Sequence, residues 1–391
     1  MTPAERILGK ALAASPMKSA DWSSIQAGLR DRAFFSATVD DARRLAVMRA
    51  AVSKVAAGEL DESQARLAIR EALERTGYQR PDDVKEGSIR DLYSQRRLDL
   101  VIQTNVAEAR GYVRYLEGTS EGALAAFPCQ ELVRTQNRKA PRNWPEIWKG
   151  HGGSLYGSGR MIALKTDPIW TAISRFGHPW PPFDFGSGMG LRDVGRREAI
   201  RYGVISADDP PPKIDREKRP GFNDNLSEHV PFKGKEDPGW IDLQSKLGDQ
   251  IAYRAGEVIF RSELLRSLVR GNGPEKIRLG KATPAMLAKL PTDRMRASLS
   301  GTSFSVRQDW IRDHVSKHIG AADTDPRNIP LQEGDAELLP SIWRNPDRIL
   351  AGQWPGSAVF ELDTFDGGTL ALTVKAQDGA TPLTLFKRRN P

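Results

Sequence analysis

His314 and His318 come closest, by residue type and spacing, to a catalytic pair. A helix over Arg307 to His318 would set them on one face, because side chains four apart in a helix are neighbours. An imidazole titrates near neutrality, so one of the two can take a proton while the other gives one. That division of labour suits cleavage of RNA through its 2′-hydroxyl, provided a cation meets the charge growing on the phosphate. Lys317, Lys375, Lys387, Arg388 and Arg389 could each supply it, and Lys387 completes the catalytic set with the two histidines. The plainer alternative has the histidines capping a helix or bridging to Asp309 and Asp313.

These residues need a scaffold, and the sequence supplies a small α+β one over 275–391. Lys276 to Leu279 and Ser298 to Val306 are expected as strands, and Asp335 to Trp343 as a helix stopped before Asn345-Pro346. Ala358 to Asp363 and Thr369 to Lys375 form a hairpin around Asp366-Gly367-Gly368. Leu370, Leu372 and Val374 alternate with Thr369, Ala371 and Thr373, the pattern of a strand buried on one side. Leu383 to Lys387 is the last strand. This helix-then-sheet order, with the two histidines, Asn345-Pro346-Asp347 and Thr384-x-x-Lys387, resembles the barnase, EndoU and colicin E5-like toxin nucleases over about Ser298 to Asn390. The resemblance implies a ribonuclease effector or toxin domain, of a group found fused behind phage head proteins.

Other chemistries leave no trace. GxxxxGK[ST] is absent, and the Gly-x-Gly runs lack the strand-then-helix context of a dinucleotide site. No Gly-x-Ser-x-Gly elbow precedes a helix. Cys129 is the one cysteine, which excludes an intrachain disulfide and a cysteine-based zinc site. It is expected to be a small buried hydrophobe. His151 and His178 could meet Asp167 or Asp184 around a metal, but scattered histidines in such a segment are expected to be hydrogen-bonded structural groups. No metal and no cofactor are expected.

The stretch Pro141 to Val194 has a different character. It holds Trp144, Trp148, Trp170 and Trp180, four of the chain's nine tryptophans, among many glycines. Large rings can bury here, at roughly 2–3 kcal/mol each, while long regular elements cannot form. A compact, loop-rich module with its own core is expected, led in by a strand over Phe127 to Arg134 and including a second at Met161 to Leu164. A helix over Arg192 to Tyr202 follows, stopped by Gly203. Before the module, Ser88 with Asp91 has the form of a capping box and opens the longest helix, which runs to Glu117. Arg96, Arg97, Arg110 and Arg114 decorate it, facing DNA, an acidic neighbour or solvent.

Pro181-Pro182-Phe183-Asp184-Phe185-Gly186-Ser187-Gly188-Met189-Gly190-Leu191-Arg192 resembles the closing motif of the Mu F-like head-morphogenesis family of phage minor head proteins. Pro181, Pro182, Phe185, Gly186 and Arg192 carry the likeness. Ser187 and Met189 stand where the family has two cysteines, and Thr104-Asn105 resembles the element in the middle of the family's long helix. The resemblance covers about Ser88 to Gly203. It implies a role in capsid assembly near the portal, with portal and capsid proteins and packaged DNA or RNA as partners, in the virion or in the host cytoplasm during assembly.

Composition sets the bounds. The chain has 391 residues, a formal charge of +8 and a pI near 9.5, which favours a polyanionic neighbour. Lys375, Arg388 and Arg389 join the helix arginines as candidate nucleic-acid contacts. No run of 18 apolar residues exists, so no membrane span is expected. The expected class is α+β: a helical region over 1–87 with helices at Asp40 to Ala57 and Asp61 to Arg75, the head-protein module over 88–206, a Pro- and Lys-rich linker over 207–239, a helical connector over 240–274, and the C-terminal domain.

Overall fold

The computed structural model describes residues 1–23, 25, 27–214, 236, 241, 251–254, 257–260, 265, 267–273, 275–282, 284–321, 325–344, 346–364, 367–376 and 380–389. It is a mixed α+β fold with a helical N-terminal region. Ala42–Ala57 starts where Asp41 accepts the backbone N–H groups of Arg43 and Arg44, and it ends at Gly58, whose φ of 80° suits glycine. Glu62–Arg75 starts at a capping box of Asp61 and Gln64. Ala65, Ile69 and Leu73 face inward, but Leu67, which shares their apolar recurrence, is exposed.

The longest helix is Gln95–Gly118, capped by Ser94. It begins beyond the expected start at Ser88 because Asp91 is spent locally. Its carboxylate accepts the N–H groups of Gly87 and Tyr93, and Ser94 Oγ donates to Ser88 O, which holds 88–94 in turns. The helix packs on Pro3–Leu8 and Ala42–Ala57. Ile7, Leu45, Met48, Ile69, Leu98 and Ile102 form one apolar core that runs across residue 87.

The aromatic stretch folds against a four-stranded antiparallel sheet ordered Leu155–Tyr156, Arg160–Leu164, Cys129–Arg134, Met189–Val194. The two strands expected here are present, the first trimmed to Cys129–Arg134 and the second one residue longer, at Arg160–Leu164. Arg192, expected to open a helix, lies instead in the last strand, opposite Glu131, and the helix starts only at Arg196. Trp144, Trp148, Trp170 and Phe183 fill one core. Cys129 is buried with Ile162, Val194 and Ala199 in another.

Trp180 belongs to neither. It packs on Tyr112 and Tyr115 of the long helix, with ring centroids 5.1 Å apart in both cases. Gly111 makes this approach possible, because a Cβ there would lie 2.1 Å from Pro181 O. Gly111→Ala should therefore push the loop off the helix and cost roughly 1–3 kcal/mol, read as a lower urea midpoint. An unchanged midpoint would show that the loop does not sit on the helix.

The C-terminal part holds a five-stranded antiparallel sheet ordered Asn328–Ile329, Thr381–Arg389, Gly368–Lys375, Ser357–Asp363, Arg348–Ala351. Lys276–Lys281 pairs separately with Ser303–Arg307. Trp343 stacks on Phe304 at 4.5 Å and packs on Phe360 at 5.4 Å, at the centre of the core. Three expectations change. The strand expected from Ser298 begins at Ser303, because Thr292 caps a helix over Asp293–Leu299. The helix expected over Asp335 to Trp343 is a 3-10 segment, Glu333–Leu338, followed by Leu339–Arg344. Gly368–Lys375 is buried on both faces through Val374, and its threonines are satisfied by neighbouring strands, Thr369 donating to Asp363 and Thr373 accepting from Thr384.

In the segment expected to be a helical connector, Ile251–Arg254 and Glu257–Phe260 pair as an antiparallel hairpin. Alternating apolar residues such as Ile251, Val258 and Phe260 serve a strand as readily as a short helix. Most of the expected linker, and Asp366 of the expected turn, lie outside the described residues. Among the described residues, no helix is long and apolar enough to cross a membrane.

Candidate functional site

The two histidines of the C-terminal domain do not share a helix. Gln308–His314 ends where Val315 turns inward with φ −125° and ψ −63°, and Ser316–His318 is a separate 3-10 turn. Val315 is fully buried, so core packing breaks the helix between them. Both side chains nevertheless line one cavity of about 260 Å³.

Two paired strands contribute more of that cavity's polar lining, Asn328 from one and Thr384 and Lys387 from the other, and Gln353 adds an amide. Trp354 joins them from the turn after Arg348–Ala351 and is 44% exposed, a free aromatic face beside the histidines. His314 stacks on Trp310 at 5.6 Å. The Trp310 indole N–H donates to Leu383 O at 3.4 Å, which ties the ring to the last strand. A wider cavity of about 490 Å³ shares His314 and brings Lys276, Arg307 and Thr381 to its other side. The carboxylates offered as histidine partners are engaged elsewhere, Asp313 by Arg312 and Lys317 and Asp309 by Arg307.

Lys387 is 2% exposed, and its Nζ lies 3.1 Å from Asp335 Oδ1. Its charge is therefore matched at the cavity wall, and a phosphate would share it with Asp335. Lys375, Arg388 and Arg389 are exposed on the same sheet outside the cavity lining. Arg388 lies 3.7 Å from Glu361, with its guanidinium 4.6 Å from the Phe386 ring centre.

The four helix arginines do not act together. Arg96 and Arg110 are exposed, and Arg114 reaches Asp193 at 3.9 Å. Arg97, about a quarter-turn from Arg96, is buried and donates to Ser36 Oγ and Ala37 O. Burial lowers its pKa, and it holds the N-terminal segment to the helix.

In the closing motif, Pro181-Pro182 is a cis peptide, and Phe185 meets Phe176 edge-on at 4.9 Å. Gly186 has a φ of 58°. Arg192 sits 2.8 Å from both Glu131 and Glu198, and Arg160 reaches the same two carboxylates. Burial would lift Glu131, but the bonds from Arg160 and Arg192 outweigh it and hold the carboxyl below its usual range. His151 is exposed, with Nδ1 2.8 Å from Ile147 O. Asp167 caps Ile169, and Asp184 pairs with Arg142 and Arg175. Among the described residues, no three His, Cys, Asp or Glu side chains group around a metal position.

His178 lies at the centre of a buried charge cluster that the sequence did not reveal. It stacks on Trp180 at 4.6 Å. Nearby, Glu108 pairs with Lys10 at 2.7 Å and Arg6 at 3.2 Å, and Arg6 also meets Asp31. Burial pushes His178 down to about 4, with Lys10 and Arg6 adding to it and Glu108 opposing. Burial lifts Asp31 to about 6 against the pull of Arg6 and Lys10.

A depressed histidine contributes stability that is present above its unfolded value of 6.5 and is lost as pH falls towards about 4. Asp31 acts in the opposite sense, with stability lost as pH rises from 3.8 through about 6. Comparison with a His178→Gln variant isolates the histidine. Between pH 7 and pH 4 the wild type should lose roughly 3 kcal/mol relative to that variant in urea unfolding. A pH-independent difference would mean that His178 is not held neutral.

No protein-family model, curated protein or solved structure matches the chain.

Proposed function

We propose that the chain is a minor head protein of the Mu F-like head-morphogenesis type, acting in capsid assembly beside the portal and the packaged nucleic acid. One observation carries the reading. The Trp-rich module closes on the long helix through Trp180 and the Pro181-Pro182 loop, seated at Gly111. A knob with its own tryptophan core, held rigidly on a helix, suits docking into an assembly more than turnover. The net positive charge suits a place near polyanion. Purified full-length chain should be taken up at a fixed ratio by proheads assembled without it, and absence of uptake would contradict the reading.

A second reading has its own observation, the two histidines and Lys387 in one cavity. In this reading the C-terminal domain cleaves RNA. One imidazole takes the 2′-hydroxyl proton as that oxygen attacks phosphorus. The other gives a proton to the leaving 5′-oxygen as its bond to phosphorus breaks. The products are a 2′,3′-cyclic phosphate and a 5′-hydroxyl, so atoms and charge balance without a co-reactant. The Lys387 ammonium, shared with Asp335, is the cation at the cavity wall, and Trp354 offers a stacking face for a base.

A further inference from the structure

Neither reading uses a cleft where the N-terminal segment, the long helix and the loop before the closing motif meet. It consists of two cavities of about 100 and 140 Å³ that share Trp22, Arg30, Phe35, Phe176 and Phe185. Trp22 stacks on Phe35 at 4.2 Å and 11°, and Phe176 stands edge-on to Phe185. All four rings are half-buried, so each keeps open surface. The inner cavity is also lined by Asp31 and His178, only 7% and 4% exposed. Asp31 Oδ2 and His178 Nδ1 find no hydrogen-bond partner among the described residues, and neither does Arg30 Nε. A buried polar atom left unpaired is costly, so three such atoms in one cleft mark groups that a ligand would satisfy.

We propose that this cleft binds a nucleotide, with its base against the aromatic pairs, the base edge at Asp31 and His178, and the phosphate between Arg30 and Arg175. The chemistry selects this ligand. A nucleobase joins a flat π face to donors and acceptors on one edge, which matches rings beside an unpaired carboxylate oxygen and an imidazole nitrogen. An apolar peptide side chain would satisfy the rings and leave all three polar atoms unpaired. Arg30 is itself partly desolvated, and Arg175 is exposed at the rim with its guanidinium 5.5 Å from the Phe185 ring centre. Arg30 Nη1 donates to the Arg175 backbone O at 3.5 Å, and both arginines line the outer cavity.

The same chemistry fits a free nucleoside monophosphate or the 5′-end of a strand. Calorimetric titration of the full-length chain with AMP, GMP, CMP, UMP and a 5′-phosphorylated single-stranded tetranucleotide separates the two. Saturable one-site binding of a mononucleotide is expected, weakened about tenfold or more in Trp22→Ala and in Arg175→Gln and unchanged in Lys149→Gln, an exposed position outside the cleft. Binding of the tetranucleotide alone, with the same sensitivity, assigns the site to strand ends. Arg175 is exposed and Trp22 half-buried, and a matching melting temperature reports intact folding. The proposal is overturned if neither ligand binds, or if binding is indifferent to both cleft variants or is lost in Lys149→Gln.

Discussion

Trp170→Ala is expected to lower stability by roughly 3–5 kcal/mol, one of the two largest effects in this chain. The ring is fully buried. It meets Trp148 edge-on at 5.1 Å and Phe183 at 6.2 Å, so its removal opens a cavity between two other large rings. Its indole N–H donates to Leu164 O at 2.7 Å, and that strand-end carbonyl, which also accepts the Asp167 N–H, would lose one donor. Trp170→Phe should recover most of the packing but not the hydrogen bond, and so should fall between wild type and alanine. Urea unfolding followed by tryptophan fluorescence and far-ultraviolet dichroism checks this. A loss below about 1 kcal/mol in the alanine variant would mean that the tryptophans do not form the module's core.

The second large effect concerns the histidine cavity. In full-length chain, His314→Ala or His318→Ala should each reduce RNA cleavage by about 10²–10⁴-fold, the usual worth of a positioned acid or base. The double variant should be little worse than either single one, because the two residues act as a unit. Both histidines are at least partly exposed, so the substitutions should leave the melting temperature near that of wild type. The product ends test the chemistry independently, since a 2′,3′-cyclic phosphate requires attack by the adjacent hydroxyl. RNA left intact by folded wild-type chain would end the ribonuclease reading and leave the head-assembly reading standing.

Local pattern and long-range contact differ in what the sequence discloses. The hairpin around 358–375 announces itself through its Asp-Gly-Gly turn and the alternation over 369–375, and the long helix through its apolar stripe. The start of that helix does not. Ser88 with Asp91 and Ser94 with Arg97 offer competing local bonds, and tertiary packing decides between them. Arg96 and Arg97 are the same residue type side by side, yet one is solvated and the other holds Ser36. Nothing in the sequence marks which.

The histidine site was legible as a pair, but for a partly different reason. One helical face was expected, whereas a buried Val315 breaks the helix, and the end of that helix and a separate 3-10 turn deliver the rings to one cavity. The Lys387–Asp335 pair joins residues far apart in the chain, and no spacing rule reaches it. Trp354 was passed over because a lone tryptophan in a Gly- and Pro-flanked turn carries no periodicity. The Arg6, Asp31, Glu108 and His178 cluster draws on three distant segments, and only folding brings its charges together.

The proposed head-assembly role is tested most directly by mass spectrometry of density-banded proheads and mature particles, made in cells producing this chain with the portal and capsid proteins of a Mu-like phage. The chain should band with the proheads at a constant ratio to portal, and Gly111→Ala should lower that ratio. Complete, DNA-filled particles assembled in its presence but holding none of it would contradict the account.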